Sequence, residues 1–146
     1  MIKIFAMGKI KDKNISVLID ELRKRVKIEI IELKDEKVTS NKNVKDLEAE
    51  KILEKIKNEY VIACDEHGKE FTSIDFAKLI KKEEMGKDIV FIVGGALGLS
   101  KKILDRANLV MAFSKLTFPH QLFRLFLVEQ IYRVYAINKG IKYHKD

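Results

Sequence analysis

IVFIVGGALGLS, residues 89–100, holds the reading of the fold. Ile89–Val93 is an unbroken apolar run of β-branched and aromatic residues, the pattern of a strand covered on both faces. Gly94-Gly95-Ala96-Leu97-Gly98 then turns the chain, and Ser100 is placed to cap a helix beginning near Lys101. A buried strand, a glycine turn and a helix make one β-α unit. Similar apolar runs occur at Ile2–Met7, Ile28–Leu33, Tyr60–Cys64 and Leu109–Phe113. Helical spacing lies between them: Ile15, Leu18, Ile19 and Leu22 after Asn14; Val44, Leu47, Leu53 and Ile56 after Asn43; Ile74, Ala77, Leu79 and Ile80 after Ser73, a candidate N-cap. This alternation predicts an α/β fold with a mainly parallel sheet, helices on both faces, and a ligand outside the carboxyl ends of the strands. Lys34–Lys45, polar and weakly patterned, reads as a mobile loop.

The chain has 146 residues, 47% of them hydrophobic, which suits one domain over residues 1–146 with a core that needs no metal or disulfide. Cys64 is the lone cysteine, and no Cys/His spacing suggests a metal site. Cysteine usage and the lack of a recognisable targeting segment point to the cytoplasm, and no run of apolar residues is long enough to span a membrane. The net charge is +7, of which +4 falls between Lys115 and Asp146. Such a basic end would attract a polyanion such as RNA, although solubility alone also accounts for it.

The glycine turn is spaced GGxxG, not the GxGxxG of dinucleotide folds, and no acidic residue follows at the distance a ribose would need. That argues against an oxidoreductase. Backbone free of Cβ atoms instead suits a flat ligand such as adenine lying along the main chain at Gly94, Gly95 and Gly98, the alternative being a tight strand-to-helix turn. A second loop, Ser114-Lys115-Leu116-Thr117-Phe118-Pro119, leaves a strand and enters the last helix, with Pro119 expected in the first helical turn.

From Leu122 to Ile137 that helix is apolar almost all round, so its polar residues stand out. Glu129 and Arg133 are four apart and share a face, as do His120 and Arg124. The Glu129/Arg133 pair is either an ion pair of a few tenths of a kcal/mol or part of a ligand site that justifies its desolvation. His120 can act chemically or only brace its turn, and Cys64 reads as an inert thiol because no partner can be placed beside it. In the tail, Tyr143 can stack on a base and His144 can move a proton.

VGGALGLS, SKLTFPHQLFR, VEQIYR and the closing YHK resemble, in order and spacing, the YbeA-like (RlmH) family of SPOUT-class methyltransferases acting on N3 of a pseudouridine in large-subunit ribosomal RNA. The likeness is densest over Phe91–Lys145. The resemblance implies a deep trefoil knot in the C-terminal part, S-adenosylmethionine as methyl donor, and a homodimer with sites at the subunit interface. It also implies ribosomal RNA, presented on the assembled ribosome, as the partner. Carried over, the cofactor pocket falls on Cys64, where relatives usually have an aliphatic residue, on Gly95, and on Ser114, Lys115, Leu116, Thr117, Phe118 and Pro119. Glu129 and Arg133 would lie near the target base, and Tyr143 and His144 would complete the site from the other subunit. The rival reading is a non-catalytic RNA-binding module, which leaves both loops and the Glu129/Arg133 pair unused.

Overall fold

A computed structural model describes residues 1–35, 43–95 and 97–145. Five strands form one sheet in the order β2-β1-β4-β3-β5: β1 Ile2–Met7, β2 Ile28–Leu33, β3 Tyr60–Glu70, β4 Ile89–Val93 and β5 Leu109–Ala112. Every pairing is parallel. The helices are α1 Lys13–Arg23, α2 Val44–Leu53, α3 Ser73–Glu84, α4 Lys101–Arg106 and α5 His120–Lys139. The strands alternate their side chains between two cores. Ile2, Ile4, Ile62, Ile89 and Phe91 pack with Phe76, Ile80, Leu127, Val128 and Ile131 on the face covered by α1, α3 and α5. Phe5, Met7, Val61, Val90 and Ile92 pack with Ala49, Ile52 and Ile103 under α2 and α4. β4 is buried along its whole length because both cores claim it.

Three helix starts differ from the sequence reading, each for a local reason. Asp12 Oδ1 accepts from the amides of Asn14 and Ile15 at 2.8 and 3.1 Å, so α1 begins at Lys13, before Asn14. Thr72, not Ser73, caps α3: its Oγ1 accepts from Asp75 N at 3.1 Å, and Ser73 becomes the first helical residue. Pro119 occupies the N-cap position of α5 and does not lie inside its first turn. Asn43 does cap α2, through a 3.1 Å bond from Lys45 N. Val44 and Lys45 therefore belong to a helix and not to the loop expected at Lys34–Lys45, while residues 36–42 lie outside the described residues. Ser100 stands at the α4 N-cap without a side-chain cap bond.

β3 also continues to Glu70, past the expected end at Cys64, through an irregularity between Cys64 and Lys69. Gly68 lies there against β5, where a Cβ would come within 2.7 Å of the Val110 and Met111 backbone. Only glycine lets the two strands close at that point. In the sheet, β4 and β5 flank β3. The turn after β4 and the loop after β5 therefore descend on either side of the end of β3, which places the site.

Candidate cofactor cleft and polar cluster

A cleft of about 470 Å³ opens at that end of the sheet. Its walls come from Cys64, Asp65 and Glu66 on β3, Val93 to Gly95 with Leu97 and Gly98 at and after the end of β4, and Phe113, Ser114, Leu116 to His120 and Phe123 around the loop entering α5. The glycine turn is tightly folded: Gly98 N donates to Gly95 O at 3.0 Å, and Gly98 takes a φ of 79°. A Cβ on Gly94 would sit 2.8 Å from the Gly98 carbonyl carbon and oxygen, so the turn closes only over glycine. Across the cleft, Thr117 Oγ1 donates to Glu66 Oε2 at 2.8 Å and Leu116 N donates to Ser114 Oγ at 3.0 Å, which ties the second loop to β3 and to itself.

Nine of the ten residues proposed from sequence for the cofactor line this cleft: Cys64, Gly94, Gly95, Gly98, Ser114, Leu116, Thr117, Phe118 and Pro119. Lys115 does not; it lines a neighbouring groove with His67 and Glu70. Successive residues of the loop point to different sides, and solvation takes the lysine outward. His120, exposed at the start of α5, lies on the cleft wall. Burial, reinforced by the charge of Asp65, pushes the Cys64 thiol up to about 12. It therefore stays protonated and serves as an apolar wall, as a lone cysteine without a base should.

Asp65, Glu66, Val93, Phe113 and Phe123 went unnoticed in the sequence. The apolar ones carry no signal beyond hydrophobicity. The acidic pair reaches the cleft through the β3 irregularity, which strand periodicity does not announce.

A second cleft, of about 390 Å³, adjoins the first and shares Phe113 and Phe118 with it. Phe71, Phe76, Met111 and Phe126 form its apolar wall, and Thr72, Ser73, Glu129, Gln130 and Arg133 its polar rim. The four residues proposed for catalysis converge beside it. Glu129 and Arg133 form an ion pair through Oε1 and Nη2, with Arg133 Nε donating to Oε2 at 3.5 Å. Tyr143 Oη donates to Glu129 Oε1 at 3.0 Å, and Arg133 Nη1 lies 3.2 Å from His144 Nδ1. A guanidinium has no acceptor, so His144 Nδ1 accepts and the ring proton sits on Nε2. Gln130 Nε2 donates to Glu129 Oε2 at 2.8 Å and is itself fixed by Ser73 Oγ at 2.9 Å.

The tail reaches this position because Gly140 ends α5 at a φ of 68° and Ile141 N returns to Ala136 O at 2.9 Å. Tyr143 then packs on Tyr132 with centroids 4.7 Å apart and lies under the Arg133 guanidinium at 4.8 Å. In the single chain, then, Tyr143 and His144 join their own α5. The hydrogen bond to Glu129 raises the Arg133 guanidinium above its ordinary value, and burial followed by Glu129 raises the Tyr143 phenol.

Arg124, paired with His120 by spacing, has a different fate. It is only 1% exposed, donates through Nη2 to Met7 O and Gly8 O at 3.1 Å each, and lies 3.4 Å from Glu32 Oε2. Burial lowers its guanidinium below the usual value against the opposing pull of Glu32. It fastens α5 to the ends of β1 and β2 and contributes nothing to an exposed basic surface.

A family model described as "Predicted SPOUT methyltransferase" matches residues 1–144. The chain belongs to the SPOUT methyltransferase family. Its SPOUT relatives include the ribosomal RNA large subunit methyltransferase H of Caldicellulosiruptor saccharolyticus, 48% identical over 154 residues that cover 99% of this chain and all of that protein. The protein of the same name from Clostridioides difficile is 47% identical over 157 residues, covering 99% of each. Among solved structures, a probable methylase family protein from Haemophilus influenzae Rd KW20 is similar with a TM-score of 0.59, over 99% of this chain and 70% of that one. At 12% identity, that likeness concerns the fold alone.

Proposed function

We propose that the chain transfers a methyl group from S-adenosylmethionine to N3 of a pseudouridine in large-subunit ribosomal RNA, as a cytoplasmic homodimer acting on the assembled ribosome. One observation carries the reading: two loops from the strands on either side of β3 enclose a glycine-floored cleft whose aromatic wall is shared with a pocket lined by a carboxylate and a guanidinium, beside which a phenol and an imidazole bond to that pair. The names of the relatives supply the class of RNA.

The residues fit the donor. The volume lies within the roughly 300–1,000 Å³ of small-molecule sites. Gly94, Gly95 and Gly98 offer backbone on which an adenine can lie, Phe113 and Phe118 offer apolar faces, and Asp65 and Glu66 can accept from hydroxyl or ammonium groups. When bound, the donor supplies an electrophilic methyl on a sulfonium. The chain's task is to align the acceptor nitrogen and manage its proton, and alignment alone can be worth about 7–11 kcal/mol.

The Glu129 carboxylate accepts from Arg133, through both Nε and Nη2, and from Gln130 and Tyr143. Both of its oxygens are thus engaged within the chain. Glu129 therefore orients Arg133 and Tyr143, Arg133 meets the anionic oxygen of the deprotonated base, and His144 receives the N3 proton once Arg133 leaves its Nδ1.

Half-exposed Leu122, Phe126 and Tyr135 on α5 and exposed Val17 and Leu18 on α1 suit burial against a second copy. Phe126 also lines the second cleft, so the same dimer would put that cleft beside the subunit interface. A knotted C-terminal part belongs to this proposal and is checked by the chain trace of a crystal structure. Mass spectrometry of large-subunit RNA from cells with and without the protein should show one methylated pseudouridine lost in its absence. An unchanged modification profile, or calorimetry without heat on titrating S-adenosylmethionine, overturns the reading.

A further inference from the structure

In a chain of net charge +7, the donor cleft is lined by two carboxylates and, among the described residues, by no lysine or arginine. The β3 irregularity puts Asp65 and Glu66 on its wall, while Lys115, on the opposite loop, faces the adjacent groove. Asp65 is the better shielded of the two, its side chain 19% exposed, and its Oδ1 is pinned by the His67 amide at 2.9 Å. Glu66 is exposed and held by Thr117 at 2.8 Å. Charge in such a wall acts through a medium far less polarisable than water.

We infer that Asp65, seconded by Glu66, makes the cleft select a positively charged donor over its neutral thioether product. The inference rests on the reading that this cleft holds S-adenosylmethionine. Donor and product share the adenosine, the α-ammonium and the carboxylate, and differ only at sulfur: methyl transfer leaves the sulfonium's bonding electrons on sulfur and removes its charge. Apolar walls are nearly blind to that difference and backbone dipoles respond to it less than a fixed carboxylate does. The field is already felt at the cleft wall, where Asp65 adds to burial in disfavouring the thiolate of Cys64. A cation placed there is favoured by the same field. After transfer the attraction is gone, which hastens product release.

The test is calorimetric titration of S-adenosylmethionine, S-adenosylhomocysteine and sinefungin, an analogue with an amine at the transferred carbon, into the wild-type protein and into Asp65→Asn and Glu66→Gln. Asp65→Asn should weaken the two cationic ligands about tenfold relative to the thioether, which is about 1.4 kcal/mol. Glu66→Gln should do so by a smaller factor. Equal weakening of all three ligands, as would follow if the carboxylates met only the shared α-ammonium or ribose, overturns the inference, and so does an unchanged ratio. If Asp65→Asn does not fold, Glu66→Gln decides alone. Failure of the wild-type protein to bind any of the three would overturn the donor reading itself.

Discussion

Burial raises the Cys64 thiol from 9.0 to about 12, so between those values the unfolded chain releases a proton that the folded chain keeps. The folded state binds more protons there, and stability must fall as pH rises. The slope from this group is about 1.4 kcal/mol per pH unit. Chemical denaturation of wild type and Cys64→Ala at pH 8 and pH 11 should show a smaller alkaline loss in the variant; parallel losses would contradict the shift. Arg133 makes a different kind of claim. Arg133→Ala should lower methyl transfer by about 10²–10³-fold, the range for removing a donor that meets developing charge. Donor affinity, read by calorimetry, should change far less, because Arg133 lies on the second cleft and not the first. Equal loss of turnover and affinity would count against its role.

At the scale of elements, α5 depends on one buried guanidinium. Arg124→Ala removes the donor to the Met7 and Gly8 carbonyls and should cost about 2–4 kcal/mol in urea denaturation, since buried acceptors lose their partner. A change under about 0.5 kcal/mol would mean that α5 is held by its apolar contacts alone. The glycine turn gives a paired comparison. Gly94→Ala drives a Cβ into the Gly98 backbone at 2.8 Å and should cost about 1–3 kcal/mol together with most donor binding. Gly86→Ala meets nothing within 4 Å and should be neutral or stabilising by up to about 1 kcal/mol. Similar melting temperatures for the two variants would show that the turn can open.

For the whole molecule, the basic C-terminal end is smaller than its composition suggests. Arg124 is buried and Arg133 is paired with Glu129, which leaves Lys115, Lys139, Lys142 and Lys145 exposed there. RNA binding through that end should therefore respond to a few lysines. Affinity for ribosomal particles measured against salt should fall linearly on a log–log plot, and neutralising Lys142 or Lys145 should flatten the slope by about 0.7–0.9 for each phosphate that the variant no longer neutralises. Slopes unchanged in both variants would place the RNA on another face.

The strands were legible in the sequence to within a residue, apart from the extension of β3, because a run such as IVFIV is buried on both faces wherever it is placed. So were the two loops, since glycine and proline constrain backbone locally. Helix starts were legible only to a residue or so: Asp12 and Thr72 took their caps because their side chains reached free amides, while Pro119 stands at the α5 N-cap with no side-chain bond. What lay beyond local chemistry was decided by the tertiary structure. Placing β3 between β4 and β5 made one cleft from two loops distant in sequence, and the irregularity at Asp65–Gly68 brought acids into it while Lys115 turned away. Hydrophobicity and turn preference belong to a residue and its neighbours and can be read along the chain. Burial of Arg124, or the meeting of Tyr143 with Glu129, depends on which distant backbone arrives alongside, and that is a property of packing alone.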